Sequence, residues 1–417
     1  MVGWLQGWNY RKSHVINPSS GAGTGYQIKI TVHYGSGADS GSDVYLNGKC
    51  NTDFSDIRFT DSSGSVLLPY WIESYTPSDN AVIWVKINDD LSTNPATIYI
   101  YYGNPNATSL SNGQATFDFF DDFNTLDTSV WNVLTGSGGS VSVSNSLVKL
   151  DRANIITKTY ILTDGIIEYR GYSASKEISG IFRTSNNTAF DVFNATGTVG
   201  GHGFYSDSST PSWSHAIAVS NTIKASVGSP ITIGKWYKFR AVLVGTQITF
   251  TRFDDDWIQE ATVSYNNDGG LTSGYIGFRV DGTGNGDRVA YYDWIRVRKY
   301  VSPEPTQGAW GSEEIYATQI SSSDSGSGID SIALRVLETN DSQTLIESVS
   351  YLDRQTIDTG FTSDISNTTV YLSSSDSLIA TQIPSDLINI LVNIILFVLA
   401  VMTIVETLQV VYYLGYS

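Results

Sequence analysis

The chain has 417 residues, of which 41% are hydrophobic and only 16% are charged, so it is long enough for two or three domains with packed cores. Its formal net charge is -17, and its single cysteine, Cys50, excludes an intrachain disulfide and a cysteine metal site. No basic stripe is present to neutralise phosphates, which argues against nucleic-acid binding.

Residues 1–116 are predicted to form closely spaced β-strands. Apolar and polar residues alternate with period two in three segments, and turn-forming Gly, Pro, Asn, Asp and Ser separate them. No helical apolar period is present, so this block is predicted to be a β-sandwich. The three segments are 27–34, 81–87 and 96–102.

Four motifs of this block, in this order and spacing, resemble the domain of unknown function 2341. The resemblance implies a β-sandwich module found on prokaryotic surface proteins and viral proteins, and it carries no established catalytic residues. The motifs are Trp8-Asn9-Tyr10-Arg11-Lys12, Asp56-Ile57-Arg58-Phe59-Thr60-Asp61, Leu68-Pro69-Tyr70-Trp71-Ile72-Glu73 and Ile98-Tyr99-Ile100-Tyr101-Tyr102-Gly103-Asn104-Pro105.

Residues 117–300 contain many short alternating strands and resemble the concanavalin A-like, or laminin-G-like, lectin and glucanase jelly rolls. The block opens on the acidic and aromatic segment 117–123 and closes on the basic and aromatic segment 291–300. In jelly rolls of this kind the first and last strands pair, so the resemblance implies that these two segments lie side by side. The predicted fold class is therefore all-β, with two tandem β-sandwich or jelly-roll domains.

Two stretches of the second block carry candidate ligand residues. Sugars bind to planar apolar rings beside hydrogen-bonding groups, and the first stretch supplies both. The second combines a tryptophan with three carboxylates that are candidates for a calcium site. The alternatives are core or edge packing for each tryptophan and a solvated turn for the aspartates. The candidates are His202, Tyr205, Asp207, Trp213 and Trp257 for a ligand, and Asp254, Asp255 and Asp256 for calcium.

No catalytic motif is recognised in the chain. Concanavalin-like glycosidases place their carboxylates on one strand as Glu-x-Asp-x-x-Glu, and neither Glu168 nor Glu177 begins such a pattern. The prediction is a non-enzymatic protein without a cofactor other than calcium, and a secreted glycosidase remains a third alternative.

Beyond the second block the sequence predicts a linker at 301–328 and a small β-rich domain or stalk at 329–383. Five Asn-x-Ser/Thr sequons are candidate glycosylation sites, although the composition predicts about that number by chance. They are Asn106, Asn186, Asn194, Asn340 and Asn367.

Residues 384–417 are predicted to form a hydrophobic transmembrane or assembly helix. Leu387 to Val405 is an uncharged run of 19 residues, just long enough to cross a bilayer, and the helical pattern continues to Leu414. Asn389 and Asn393 lie four apart and can bond to neighbouring helices, whereas Glu406 is costly in lipid. A single lipid anchor and a bundle in a homo-oligomer therefore both remain open.

Two features of the sequence favour a virion protein. Met1–Trp4 lacks a signal-peptide pattern, and no Lys or Arg follows Arg354, as a membrane anchor of a cellular protein would need. The hypothesis is a spike or fibre of a prokaryotic or archaeal virus, located at the virion surface or membrane, that binds a host glycan or surface protein. The alternative is a cellular surface-layer or adhesion protein with a membrane anchor.

Overall fold

The computed structural model describes two β domains and two further strands. Within the described residues the chain is nearly all β, with one short helix, α1 (Gly113–Thr116). This part of the chain contains no helix that is long and apolar enough to cross a membrane. The described ranges are 3–188, 201–208, 212, 214–219, 222–266, 270–280, 288–316, 334–338 and 344–349.

The N-terminal domain is a sandwich of two sheets that face each other across one core. Strands β1, β7 and β4 belong to one sheet, and β3, β2, β6 and β5 form the other in that order. The predicted sandwich is thus confirmed here, and the predicted segments coincide with β2, β6 and β7. The strands are β1 (Tyr10–Asn17), β2 (Tyr26–His33), β3 (Asp43–Tyr45), β4 (Arg58–Thr60), β5 (Tyr70–Thr76), β6 (Asn80–Ile87) and β7 (Ala96–Tyr102).

Alternation along β5 and β6 explains which face of the second sheet is turned outward. Ile83 and Val85 point into the sandwich core, so Trp84 between them points away from it. Trp71 of β5 lies directly opposite Trp84 in the ladder, and Glu73 follows two residues later on the same face. The outer face of this sheet therefore carries two large aromatic rings and a carboxylate.

The second domain is an antiparallel sheet of thirteen strands that folds back on itself. One layer has the order β18-β17-β16-β11-β20-β10, and β10 continues into a layer ordered β10-β19-β12-β13-β14-β15. The end strands β14 and β15 contact β18, which closes the two layers over one core. This arrangement is consistent with the predicted jelly roll. The strands are β8 (Phe119–Asp121), β9 (Trp131–Ser144), β10 (Leu147–Leu162), β11 (Gly165–Ser173), β12 (Glu177–Thr184), β13 (His202–Asp207), β14 (His215–Val219), β15 (Thr222–Val227), β16 (Tyr237–Val244), β17 (Gln247–Asp254), β18 (Gln259–Asn266), β19 (Gly274–Arg279) and β20 (Val289–Arg298).

The first and last strands of the second domain pair, as the resemblance to jelly rolls implied. Phe119 lies opposite Val297 and Asp121 opposite Ile295 in the β8–β20 ladder. The acidic opening segment and the basic closing segment therefore share one edge of the domain, which confirms that expectation.

The segment after the second domain returns to the first, which corrects the prediction of a linker from residue 301. Strand β21 (Thr306–Trp310) pairs with β1, and β22 (Glu314–Ile315) pairs with the other end of β1. Trp310 stacks on His14 with ring centroids 3.7 Å apart. Proline and glycine favoured a linker locally, but unpaired main-chain groups on β1 recruit this segment as an additional strand.

The return segment is also fixed by charged side chains. Arg11 donates from Nη2 to Glu314 Oε2 at 2.6 Å, and Tyr102 donates from Oη to Glu313 Oε2 at 2.5 Å. The second domain is therefore inserted between strands of the first. Beyond it, β23 (Leu334–Glu338) and β24 (Thr344–Val349) extend the sheet of β1.

Candidate functional site

The two domains meet through an aromatic cluster. Trp71 and Trp84 on the outer face of the N-terminal domain pack against Phe117, Phe120 and Trp294. The rings of Trp71 and Trp294 meet edge to face with centroids 5.8 Å apart. Burial of each such ring stabilises the contact by about 1.5–3 kcal/mol, so the cluster holds the domains in one orientation.

A buried carboxylate from the N-terminal domain crosses into the second domain. Glu73 Oε2 accepts hydrogen bonds from Arg296 Nη1 at 2.7 Å and from Trp84 Nε1 at 2.8 Å. Its Oε1 accepts from Trp257 Nε1 at 2.8 Å and lies 3.6 Å from Lys238 Nζ. Because only 2% of the Glu73 side chain is exposed, these partners replace the water it loses.

Strands β20, β11 and β16 carry a row of charges on the face that meets Glu73. Arg296, Glu168 and Arg240 are neighbours in register across these three strands. Glu168 Oε2 accepts from Arg296 Nε at 2.7 Å, and its Oε1 accepts from Arg240 Nε at 2.6 Å. Arg298 Nε lies 3.6 Å from Glu168 Oε2, so one buried carboxylate faces three guanidinium groups.

These charges keep both carboxylates ionised. Burial alone would raise the pKa of Glu168, but Arg296, Arg298 and Arg240 hold that pKa well below its ordinary value. Burial also opposes ionisation of Glu73, and the charges of Arg296 and Lys238 outweigh it, so the pKa of Glu73 is lowered. The interface is therefore an ionic network surrounded by aromatic rings.

A cleft of about 440 Å³ opens beside this network, between the two domains and the return segment. The guanidinium of Arg240 and the ring of Trp257 are both partly exposed there, and their centres are 5.3 Å apart. Pockets of this size at domain interfaces, with rings and a few polar groups, are typical ligand sites. The lining is Tyr26, Gln27, Ile28, Lys29, Glu73, Trp84, Arg240, Phe253, Trp257, Arg298, Glu304, Pro305 and Gln307.

Among the predicted ligand residues that the structure describes, Trp257 alone lines this cleft. It belongs to the turn between β17 and β18 and has a positive φ of 63°. Its indole N–H is committed to Glu73, so the ring contributes an apolar face to the cleft rather than a free donor. No local sequence pattern indicates that this tryptophan also joins two domains.

The other predicted ligand residues that the structure describes all lie on β13, but they point to two different faces of that strand. His202 is buried and points to the core side of β13, as its alternate neighbour Phe204 does. Tyr205 and Asp207 point to the opposite face, where Tyr205 is partly exposed and burial raises its pKa to about 12. Trp213 lies outside the described residues.

The outer face of β12 and β13 is unusually polar. Glu177 lies directly opposite Asp207 in the ladder, and Ser179 lies opposite Tyr205. Arg279 Nη1 lies 3.8 Å from Glu177 Oε1, and Lys176 Nζ lies 3.4 Å from Asp207 Oδ2. This pairing of carboxylates joins two strands, so no pattern along a single strand predicts it.

The three aspartates predicted to bind calcium do not converge on one point. Asp254 Oδ1 accepts the backbone N–H groups of Asp256 and Ile258, which closes the turn. Asp255 binds Arg170 through both oxygens, at 2.7 and 2.6 Å. Among the described residues, no group of three or more His, Cys, Asp or Glu side chains has a metal-binding arrangement. This geometry does not favour the predicted calcium site, because Asp254 closes the turn and Asp255 binds Arg170.

The remaining predicted positions divide into described and undescribed ones. Asn106 is exposed and Asn186 partly exposed, so both are accessible as predicted glycosylation sites. Asn194, Asn340, Asn367 and the helix residues Asn389, Asn393 and Glu406 lie outside the described residues.

Part of the chain matches a known family. Residues 53–134 match the domain of unknown function DUF2341, and this range includes β4–β7 of the N-terminal domain and β8 and extends into β9. An uncharacterized protein of Methanocaldococcus jannaschii is 30% identical over 99 residues, which cover 19% of this chain and 18% of that protein. The chain therefore spans less than a fifth of the length of this relative.

Solved structures similar to this chain include three carbohydrate-related proteins. A carbohydrate binding module from Bacillus subtilis is 14% identical and covers 41% of this chain and 95% of its own, with a TM-score of 0.30. The β-glucanase of Bacillus licheniformis is 14% identical and covers 44% and 98%, with a TM-score of 0.33. Lectin I-B4 of Griffonia simplicifolia is 10% identical and covers 44% and 99%, with a TM-score of 0.33. At these TM-scores none of them assigns a ligand to this chain.

Proposed function

We propose that the chain is a non-catalytic surface protein whose two β domains form one rigid head, and that this head binds a glycan in the cleft between them. The supporting observation is the partly exposed ring of Trp257 beside the guanidinium of Arg240 in a cleft of about 440 Å³. An apolar ring and fixed hydrogen-bond donors together match the two faces of a sugar. A rigid interface lowers the ordering cost of binding.

A glycan array probed with the full-length chain tests this proposal. We expect signal on a subset of glycans, and we expect Trp257→Ala to abolish it. Trp236→Ala is the matched control, because Trp236 is also a partly exposed tryptophan of the second domain but does not line the cleft. Equal binding by both variants would move the site elsewhere, and absence of signal on glycans and host cells would leave a scaffold role.

For the setting of this head we propose the surface of a virion of a prokaryotic virus, with residues 387–414 held in the viral membrane or in a helical assembly. The support is the sequence alone, namely the uncharged apolar run of 19 residues from Leu387 to Val405. A cellular surface-layer or adhesion protein is the alternative. Neighbouring genes for capsid or portal proteins would favour the virus, and neighbouring export genes would favour the cell.

A glycosidase is the second candidate function, and one observation favours it. Glu177 and Asp207 lie opposite each other on neighbouring strands, which places their Cβ atoms about 5 Å apart. Retaining glycosidases use two carboxyl groups about 5–5.5 Å apart, a separation within reach of side chains on one face of two paired strands. Release of reducing sugar from a polysaccharide by the wild type, and its loss in Glu177→Gln, would establish this activity in place of passive binding.

A further inference from the structure

The interdomain cleft is basic although the chain as a whole is strongly acidic. Its lining includes three cations, Lys29, Arg240 and Arg298, and two carboxylates, Glu73 and Glu304, so the lining has one excess positive charge. The whole chain has a formal net charge of -17. A local charge of the opposite sign therefore distinguishes this cleft from the average surface.

Most of the charges around the cleft compensate one another inside the protein. Glu73 binds Arg296 and lies near Lys238, and Glu304 Oε2 accepts from Arg298 Nη1 at 2.6 Å. Glu168 is shared among Arg296, Arg298 and Arg240. The three carboxylates Glu73, Glu168 and Glu304 thus face four cations: Lys238 and three arginines. Among these arginines Arg240 is the most exposed, with 33% of its side chain accessible.

Arg240 is held in place through one edge only. Its Nε donates to Glu168 Oε1, while its Nη1 and Nη2 make no hydrogen bond with any residue in the described part of the chain. The rings of Phe253 and Trp257 flank the guanidinium at 5.2 and 5.3 Å. A guanidinium whose position is fixed and whose outer N–H groups face a cleft is preorganised for a planar, bidentate anion.

We propose that the cleft binds the carboxylate of an acidic sugar, such as a uronic acid residue, through the outer N–H groups of Arg240, with the sugar ring against Trp257. This inference rests on the proposed glycan-binding function and specifies the class of sugar. A carboxylated sugar satisfies both the planar anion site and the apolar ring, whereas an inorganic anion uses only the first.

The test measures binding of the full-length chain to oligogalacturonate, to the same oligosaccharide after reduction of its carboxyl groups, and to inorganic phosphate. We expect carboxyl reduction and Arg240→Gln each to weaken binding roughly 10- to 100-fold, the range for a lost charge-assisted hydrogen bond. Arg152→Gln is the control, since Arg152 is a partly exposed arginine of the same domain that does not line the cleft. Arg240→Lys keeps the charge beside Glu168 but loses the fork, and it is expected to fold and still to bind weakly.

The possible outcomes separate the two proposals. Binding of the reduced oligosaccharide as tightly as the acidic one, with dependence on Trp257, would overturn the acidic-sugar inference and leave glycan binding intact. Phosphate binding as tight as oligogalacturonate binding would overturn recognition of a sugar carboxylate. Unchanged affinity in both Arg240 variants would overturn the role of Arg240, and absence of binding to every oligosaccharide would overturn both proposals.

Discussion

Glu73 of the N-terminal domain lies 2.7 Å from Arg296 of the second domain, measured from Oε2 to Nη1, and neither side chain is more than 2% exposed. Five aromatic rings surround the guanidinium at 4.4 to 5.7 Å, from both domains. A buried ion pair that joins two domains fixes their register, because any other orientation separates Glu73 from Arg296 and Lys238 and leaves Arg296 with Glu168 alone.

Replacement of Glu73 by Gln is expected to destabilise the protein by about 3 kcal/mol or more at neutral pH, since Arg296 then stays buried without its second carboxylate. Urea unfolding followed by tryptophan fluorescence measures the change. Asp89→Asn is the control, because Asp89 is an exposed carboxylate. If the two variants unfold at the same urea concentration, the ion pair does not hold the interface.

The contribution of Glu73 should also disappear in acid. Its folded-state pKa is lowered, so this stabilisation is fully present above the unfolded pKa of about 4.3 and is lost as the pH falls through the folded value. We expect the difference in unfolding free energy between wild type and Glu73→Gln to shrink below about pH 4. A difference that stays constant from pH 7 to pH 3 would contradict the lowered pKa.

The buried His215 is expected to lower the free energy of unfolding at mildly acidic pH, separately from Glu73. Burial between Ser206 and the ring of Phe250 lowers its pKa to about 4. As the pH falls from 6.5 to 4, His215 becomes protonated in the unfolded chain but stays neutral in the folded chain. The free energy of unfolding therefore falls by up to about 3 kcal/mol. His215→Gln should flatten this part of the stability profile, measured by denaturant unfolding. His33→Gln, at a partly exposed histidine, is the control substitution.

Because β21 pairs with β1, we expect a change at residue 308 to affect a strand almost 300 positions earlier in the sequence. A Cβ on Gly308 would lie 2.7 Å from the carbonyl oxygen of Val15, so Gly308→Ala must displace β21 from β1. We expect a loss of about 1–3 kcal/mol in unfolding free energy. Gly35→Ala is the control, because open space surrounds that position. Equal stability of the two variants would mean that β21 adds nothing to the sandwich.

Calcium is expected to leave the stability of the turn at Asp254–Asp256 unchanged. The oxygens of Asp254 and Asp255 are occupied by backbone N–H groups and by Arg170. Melting temperatures measured with excess calcium and with EDTA should therefore coincide for the wild type. A rise with calcium that is lost in Asp254→Asn would restore the calcium site.

The β class and the positions of the main strands were predictable from local alternation along the chain. The pairing of segment 117–123 with segment 291–300 was implied only by the resemblance to jelly rolls. Strand β7 (Ala96–Tyr102) was predicted with its observed bounds, since seven consecutive residues repeat the period-two pattern.

The site depended on contacts that no local pattern contains. The alternation of side chains along a strand determines which residues share a face with Glu168, Arg240 or Arg296 on the same strand. Only the strand order β20-β11-β16 makes these three residues neighbours. Glu73 meets Arg296 across 223 positions of sequence, and the aromatic cluster around them requires both domains. The return of residues 306–315 to β1 was missed for the same reason, because strand addition is decided by free main-chain groups on a distant edge rather than by the composition of the added segment.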